Sequence, residues 1–190
     1  MFKKRSTAIA LFVAVVAVFS LVGSHLSLTR AVRHVEDAFF DAELLKTSGS
    51  VGYYTCPGDQ LENCVALSNR LLSVIGSDGE WADAYANLQD RRFALVRALE
   101  DRDIPFIFEK ATLLMDAVAD IEALKASGAV LPDSHDDFDA IISDLYGAQR
   151  VAADPAYNNH VQAFIDGTLS RFPTNILRRL TFVSLPEAYR

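Results

Sequence analysis

The first hydrophobic pattern along the chain is a run without charge. Residues 7–23 consist mainly of Ala, Leu, Val and Phe, and they follow a Lys-Lys-Arg cluster at positions 3–5. A helix that spans the hydrocarbon core of a bilayer needs about 20 apolar residues, whereas the apolar part of a signal peptide has about 7–15. The length favours an uncleaved membrane anchor over residues 6–24, preceded by a basic tail at residues 1–5.

The basic tail also predicts the orientation of the anchor. Basic residues that flank a membrane helix stay on the cytoplasmic side. Residues 25–190 are therefore expected as one extracytoplasmic helical bundle on a single-pass cell-membrane protein. Cleavage is the alternative, because Val22-Gly23-Ser24 is a tolerable small-residue processing site. Both interpretations place the body of the protein outside the cytosol.

Beyond the anchor, apolar residues recur at the three-four spacing of amphipathic helices. From Leu28 to Ala42 this spacing predicts that the membrane helix continues outward. Further stripes predict helices over Leu61–Ile75, Trp81–Leu99, Ile107–Leu124, Phe138–Ala152 and Tyr157–Phe172. No run alternates long enough to predict a strand. The pattern predicts an all-α fold, an antiparallel up-and-down bundle of four to five helices preceded by a single N-terminal membrane helix.

Residues that cap or break helices divide these stripes. Ser77 and Glu80 have the spacing of a capping box. At Asp154-Pro155 the chain either starts a new helix, with the aspartate as N-cap, or bends one long helix. Residues 47–59 are rich in Ser, Gly and Tyr and are expected to form one long loop. Residues 176–185 alternate between apolar and basic and are expected to form a short packing helix.

Charge narrows the classes of partner. The whole chain has a net charge of −7, and residues 1–23 contain three cations and no acidic residue, so the remainder carries −10. Nucleic acids select basic surfaces, and anionic lipid repels acidic ones. The charge therefore argues against nucleic acid as a partner and against a body that lies flat on anionic lipid.

Two cysteines, Cys56 and Cys64, flank a turn-rich Pro-Gly-Asp sequence. In an oxidising compartment, a close even pair predicts a disulfide that closes a short loop. Two thiols without a nearby histidine make a poor zinc site, and the spacing is not that of a redox pair. A structural disulfide is the expectation.

The search for catalytic chemistry finds no constellation. The histidines at 25, 34, 135 and 160 are scattered, and no Glu-x-x-His motif of the di-iron type occurs. Neither a Gly-x-Ser-x-Gly turn nor a phosphate-binding glycine loop is present. Residues 134–137 form a polar cluster at a helix start, where capping is expected rather than cation binding. We predict no catalytic residue, no metal site and no cofactor.

Aromatic residues are the remaining candidates for recognition. Those at helical spacing, such as Trp81 and Phe93, are expected in the core rather than in a ligand pocket. Tyr53 and Tyr54 differ because they fall in the long loop. They are candidate contacts for a partner protein, or they fold back and cover the end of the bundle.

The C-terminal third carries a family resemblance. It resembles the closing signature of LemA-family proteins at Tyr157, Asn158, Val161, Phe164, Ser170, Phe172, Pro173 and Asn175. A second, shorter similarity after the anchor involves Arg30, Arg33, Val35, Ala38 and Phe39. The resemblance spans residues 6–190 loosely and is specific over residues 157–189. The middle departs from the family, since its basic, proline-containing segment is not evident here.

The resemblance implies a single membrane anchor and an antiparallel helical bundle, but no established biochemical activity. It implies a membrane protein with a TPM-type domain as a partner, because the genes often lie together. The sequence thus predicts a non-catalytic scaffold or accessory protein of the cell envelope. The alternative is an extracytoplasmic bundle that binds or senses a small ligand. An enzyme is disfavoured by the search for catalytic groups.

Overall fold

The computed structural model describes residues 2–46, 55–132 and 137–189, and within these ranges the chain is helical and contains no β-strand. The α-helices of these ranges are α1 (Phe2–Asp37), α2 (Ala42–Lys46), α3 (Pro57–Ile75), α4 (Ala82–Asp101), α5 (Ile104–Ala126), α6 (Phe138–Ala152), α7 (Ala156–Phe164) and α8 (Thr174–Thr181). A 3₁₀ turn at Gly79–Trp81 precedes α4, and a π-helical turn at Ile165–Leu169 follows α7. The predicted all-α class is confirmed.

Helix α1 extends well beyond the apolar run. It continues without a break to Asp37, so the predicted continuation beyond the apolar run is confirmed as far as that residue. The part Ile9–Asp37 contains an 18-residue window of mean hydropathy 2.4, none of it buried. By length and composition, this helix can cross a membrane. Further along, Val32 and Val35 are buried, so one helix serves two environments.

Helix boundaries follow local capping chemistry. Asp103 Oδ1 accepts a hydrogen bond from the Phe106 amide at 3.0 Å and starts α5. Asp154 Oδ1 accepts one from the Ala156 amide at 2.8 Å, and α6 and α7 are separate helices. Of the two alternatives at Asp154-Pro155, a new helix is therefore the correct one.

Two predicted boundaries are wrong. The capping box at Ser77 and Glu80 does not form, because the chain enters α4 through a 3₁₀ turn whose N-cap, Asp78, makes no side-chain cap bond. The long loop ends earlier than predicted, since α3 already begins at Pro57. Proline is favoured in the first helical turn, where its missing amide hydrogen costs no hydrogen bond.

One compact unit consists of Ala38–Asn158 with Glu187–Arg190, and we call it the bundle unit. In it, α3 packs against α4 and α6, and α5 packs against α4 and, less extensively, α6. The core of these four helices is formed by Leu61, Leu71, Ile75, Leu88, Leu95, Ile107, Leu114, Val118, Ile121, Phe138, Ile141 and Leu145. Trp81 is buried beside Phe138, and its indole Nε1 donates to the Val130 carbonyl at 2.8 Å. The apolar faces predicted from helical spacing thus form a core.

The other compact unit consists of Met1–Asp37 with Asn159–Pro186, and we call it the anchor unit. In it, α1 packs against α8. A small buried cluster joins Val32, Leu169 and Val183, with Leu28 and Phe164 packed around it. This cluster holds the C-terminal half of α1 against the chain that follows α7.

Candidate functional site

The most extensive candidate site is the exposed apolar surface of α1. Its large exposed side chains are Ile9, Leu11, Phe12, Val13, Val15, Val16, Val18, Phe19, Leu21 and Val22. These residues are distributed around the whole circumference of the helix rather than along one face. For every Å² of apolar surface that stays in water, roughly 25 cal/mol of hydrophobic stabilisation is not gained. A helix that is apolar all round and unpacked is suited by length and composition to the core of a lipid bilayer.

A second exposed apolar surface lies in residues 170–182, of which residues 176–182 were predicted to belong to a short packing helix over residues 176–185. Helix α8 is shorter than predicted, and it buries none of its residues fully. Phe172 and Phe182 are among the most exposed large apolar side chains of the described chain. The feature of the sequence that could have indicated this surface is the mixture of apolar residues with three arginines.

The Tyr157-Asn158 pair of the family signature holds the C-terminal tail. The Tyr157 hydroxyl donates to the Glu187 carbonyl at 2.7 Å. Asn158 Nδ2 donates to the Tyr189 carbonyl at 2.7 Å, while the Tyr189 amide donates to Asn158 Oδ1 at 2.9 Å. Because one asparagine side chain satisfies both polar groups of one backbone residue, the tail is held in a single register.

Aromatic packing completes this attachment. The rings of Tyr157 and Tyr189 lie 5.2 and 5.3 Å from that of Phe39, and Phe108 lies 5.0 Å from Tyr189. Burial raises the pKa of Tyr189, with a smaller effect from Cys64. These rings pack against one another, and their packing reinforces the hydrogen bonds that fasten the tail, while Tyr157 also lines a surface groove of 170 Å³.

The rest of the signature divides between burial and exposure. Val161 is buried, and Phe164 packs on the cluster of the anchor unit. Phe172 is exposed, and Pro173 directly precedes α8. Asn175 Oδ1 is buried and accepts no hydrogen bond within the described chain. The signature residues of the anchor unit are therefore partly buried in its cluster and partly exposed.

The predicted disulfide is absent from the structure, where both cysteines are free and buried. Cys56 caps α3 and Cys64 lies eight residues further along the helix, about 12 Å by helical rise. A disulfide requires Cα atoms roughly 4.4–6.8 Å apart. The helix that begins at Pro57 therefore separates the two thiols, whereas the prediction assumed a loop between them.

Each thiol has its own hydrogen-bond partner. Cys56 Sγ accepts a hydrogen bond from the Asp59 amide at 3.5 Å, and Cys64 Sγ donates to the Leu145 carbonyl at 3.9 Å. Burial raises the pKa of each thiol to about 11. Since the thiolate is the reactive form, both cysteines are poor nucleophiles and poor ligands for a metal at neutral pH.

Several candidates lie outside the described residues or do not assemble. Tyr53 and Tyr54, proposed as partner contacts, fall outside the described ranges, as does His135. Among the described residues, no group of three or more His, Cys, Asp or Glu side chains gathers to hold a metal ion. His160 has a pKa lowered by burial and, to a smaller extent, by the charge of His34.

Of the helical aromatic residues expected in the core, Trp81 is buried as predicted, but the prediction is wrong for Phe93. Phe93 and Phe106 are exposed, with the cationic ends of Arg92 and Lys110 over their rings at 4.6 and 4.3 Å. Three surface grooves have volumes of 170, 270 and 330 Å³, and the largest of the three lies between α3 and α4. These grooves are small and open, so they are minor surface features in comparison with the apolar surface of α1.

These features define the class of the molecule: an all-α protein whose N-terminal helix is long and apolar enough to span a membrane. No protein-family model matches the chain, and no curated protein or solved structure shows significant similarity to it.

Proposed function

We propose that the protein is a membrane-anchored helical-bundle protein of the cell envelope that acts as a non-catalytic scaffold or accessory partner of other membrane proteins. The observation that carries this proposal is the change in environment along α1. Its large apolar side chains are exposed from Ile9 to Val22 and become packed at Val32. A single continuous helix thus links an apolar segment suited to lipid with folded protein.

The orientation follows from charge. Lys3, Lys4 and Arg5 keep the N-terminus in the cytoplasm, and the body faces the extracytoplasmic side. An oxidising compartment is compatible with two free cysteines, because burial keeps them protonated and inaccessible.

We infer that α3 to α6 form an up-and-down antiparallel bundle and that the chain is a divergent LemA-like protein. The connections from α3 to α4 and from α4 to α5 are short, and short connections favour antiparallel neighbours. The Tyr-Asn pair supports the resemblance, because hydrogen bonds to the tail give both residues a specific structural role.

Confinement to a membrane explains how a protein without catalytic groups can act. An anchored bundle meets other membrane proteins at a raised effective concentration, so weak contacts become sufficient. We propose a membrane protein of the TPM-domain type as the partner, on the strength of the family resemblance. Tyr53 and Tyr54 remain the proposed contact residues on this protein.

The anchor is tested by placing charge in the apolar run. The double variant Val15→Arg with Phe19→Arg puts two cations on one face of α1, each costing roughly 2.5–3.5 kcal/mol at the centre of a membrane helix. We expect the wild-type protein to stay in the membrane after alkaline carbonate extraction and the variant to be released. Immunoblotting of both fractions, with mass spectrometry for cleavage, measures this.

The matched control places two arginines on exposed apolar positions of the bundle unit, Val130→Arg with Val151→Arg. This control should remain in the membrane. Equal extraction of wild type and the α1 variant would contradict the anchor. Orientation is measured with Ser184→Cys, an exposed position, which an impermeant maleimide should label on intact cells. Labelling only after lysis would contradict the extracytoplasmic orientation.

A further inference from the structure

Residues 170–182 present apolar side chains that the anchor unit does not bury. The exposed fractions of Phe172, Ile176, Leu180 and Phe182 are 79, 49, 58 and 91%. Ile176 and Leu180 are four residues apart on α8 and share a face of the helix. Four large apolar side chains exposed within 11 residues form a patch rather than isolated surface residues. Such a patch favours an apolar partner.

The charge of the same segment is opposite to that of the chain. Residues 170–182 contain three arginines and no acidic residue, although the whole chain has a net charge of −7. Arg171 and Arg179 are exposed. Apolar side chains flanked by cations match a lipid surface, where hydrocarbon lies just below anionic phosphates. The segment is thus a local exception to the acidic surface that argued against lipid contact.

The contacts of α8 place this segment beside the end of the membrane run. A hydrogen bond of 3.0 Å joins His25 Nδ1 to the Thr181 carbonyl, with the imidazole as donor. His25 directly follows residues 6–24, which as a helix are about 28 Å long, close to the roughly 30 Å thickness of a bilayer's hydrocarbon core. If residues 6–24 cross the membrane, Thr181 lies at the level of the lipid headgroups.

The chain on either side of the segment lies further from the run. Leu169 precedes it and Val183 follows it, and both pack with Val32, two turns beyond His25 along α1. The backbone therefore leaves the buried cluster after Leu169, reaches α1 at His25 and returns to the cluster at Val183. Within the described part of the anchor unit, residues 170–182 form an excursion toward the apolar run.

We propose that residues 170–182 lie in the headgroup layer of the membrane that α1 spans. The side chains that enter the boundary with the acyl chains are Phe172, Ile176, Leu180 and Phe182. Arg171 and Arg179 bind lipid phosphates from the same segment. This inference rests on the proposed membrane anchor and adds a second, lipid-contacting surface that restricts tilt and rotation of α1.

The test uses the full chain in vesicles of phosphatidylcholine and phosphatidylglycerol. A fluorophore that reacts with thiols is attached at Phe182→Cys, at Val15→Cys in the run, or at Val151→Cys on the bundle unit. The native cysteines are buried, and the unsubstituted chain measures their background. A nitroxide near the lipid glycerol backbone should reduce fluorescence at position 182 about twofold. A nitroxide at the acyl-chain end should quench position 15, and neither should quench position 151.

The outcomes separate the two proposals. If position 15 is quenched and position 182 behaves like position 151, the headgroup-layer proposal is wrong and the anchor stands. If position 15 is not quenched, both are wrong. If position 182 becomes shielded only in native membranes and not in lipid vesicles, a protein covers the patch and the lipid proposal is wrong.

A charge variant tests the phosphate contacts separately. Arg171→Glu with Arg179→Glu, combined with the label at position 182, should lose about half of the quenching in vesicles rich in phosphatidylglycerol. The loss should be smaller in pure phosphatidylcholine. Arg150→Glu, an exposed arginine of α6, is the matched control and should have no effect. An equal loss in both lipids would contradict recognition of anionic phosphate.

Discussion

The two units of the molecule differ in the burial of their apolar side chains. In the bundle unit, the apolar stripes of α3 to α6 face inward, and residues such as Leu88 and Ile121 have no exposed surface. In the anchor unit, the apolar side chains of α1 from Ile9 to Val22 are exposed, as are those of Phe172 and Phe182. Both units are built from helices, so the difference lies in whether the apolar side chains pack in a protein core.

A comparison of α1 with α5 shows which property of the sequence carries this difference. Both helices are rich in apolar residues, but α5 places charged residues such as Glu109, Lys110 and Asp116 between its buried positions. The run in α1 has no charged residue from Thr7 to Gly23. Uncharged length, rather than hydrophobic content, therefore distinguishes a helix suited to lipid from one that needs a protein core.

The largest effect on stability is expected from cavities in the bundle unit. Leu88→Ala removes a side chain with 0% exposure and should cost about 2–5 kcal/mol in the free energy of unfolding. Leu11→Ala, at a position 67% exposed, should change it by less than about 0.5 kcal/mol. Urea unfolding in detergent micelles, followed by the fluorescence of the buried Trp81, measures both. Equal losses would contradict the contrast between the units.

The second effect concerns chemical protection in the bundle unit. With pKa values of about 11, Cys56 and Cys64 should be about one part in a thousand thiolate at pH 8. We expect alkylation at least about a hundredfold slower in the folded chain than in denaturant, counted by mass spectrometry. Ser184→Cys, exposed in the anchor unit, should react at an ordinary rate. Rapid reaction of the native cysteines, or a mass showing a disulfide, would contradict this.

The same thiols give a pH dependence with a definite sign. Their folded pKa values lie above the ordinary value of 9.0, so between pH 9 and about 11 the folded state holds protons that the unfolded state has lost. Their contribution to stability is therefore fully present below pH 9 and is lost as pH rises toward 11.

The smallest of the three effects concerns the attachment of the tail. Asn158→Ala removes two hydrogen bonds to Tyr189 and should cost about 1–3 kcal/mol. Asn159→Ala, its exposed neighbour, is the control and should have little effect. Hydrogen exchange at the Tyr189 amide measures the attachment directly. Unchanged exchange in Asn158→Ala would show that ring packing alone holds the tail.

Much of the fold was predictable because helical spacing and capping are local. The apolar run, the stripes of α3 to α6 and the helix starts at Asp103 and Asp154 follow from residues close together in the chain. The misplaced start of α3 also has a local cause. Proline after Cys56 was interpreted as part of a turn, although proline is equally typical of a first helical turn.

The candidate site was less predictable because it depends on residues far apart in sequence. The resemblance selected Tyr157 and Asn158, but their partners, Glu187 and Tyr189, lie some thirty residues away. The exposed patch around α8 was missed for a related reason. A short stretch of mixed apolar and basic residues is compatible with packing or with exposure, and only the surrounding contacts decide between them.

The sequence by itself determined that the chain is helical, that an uncharged apolar helix begins it and that its body is acidic, because these are properties of local spacing and composition. The separation of Cys56 and Cys64 is also local, because it follows from the helix that begins at Pro57. The tertiary structure decided that the tail is fastened at Asn158 and that His25 is hydrogen-bonded to Thr181. These outcomes depend on how helices pack, and packing joins residues that no local pattern relates.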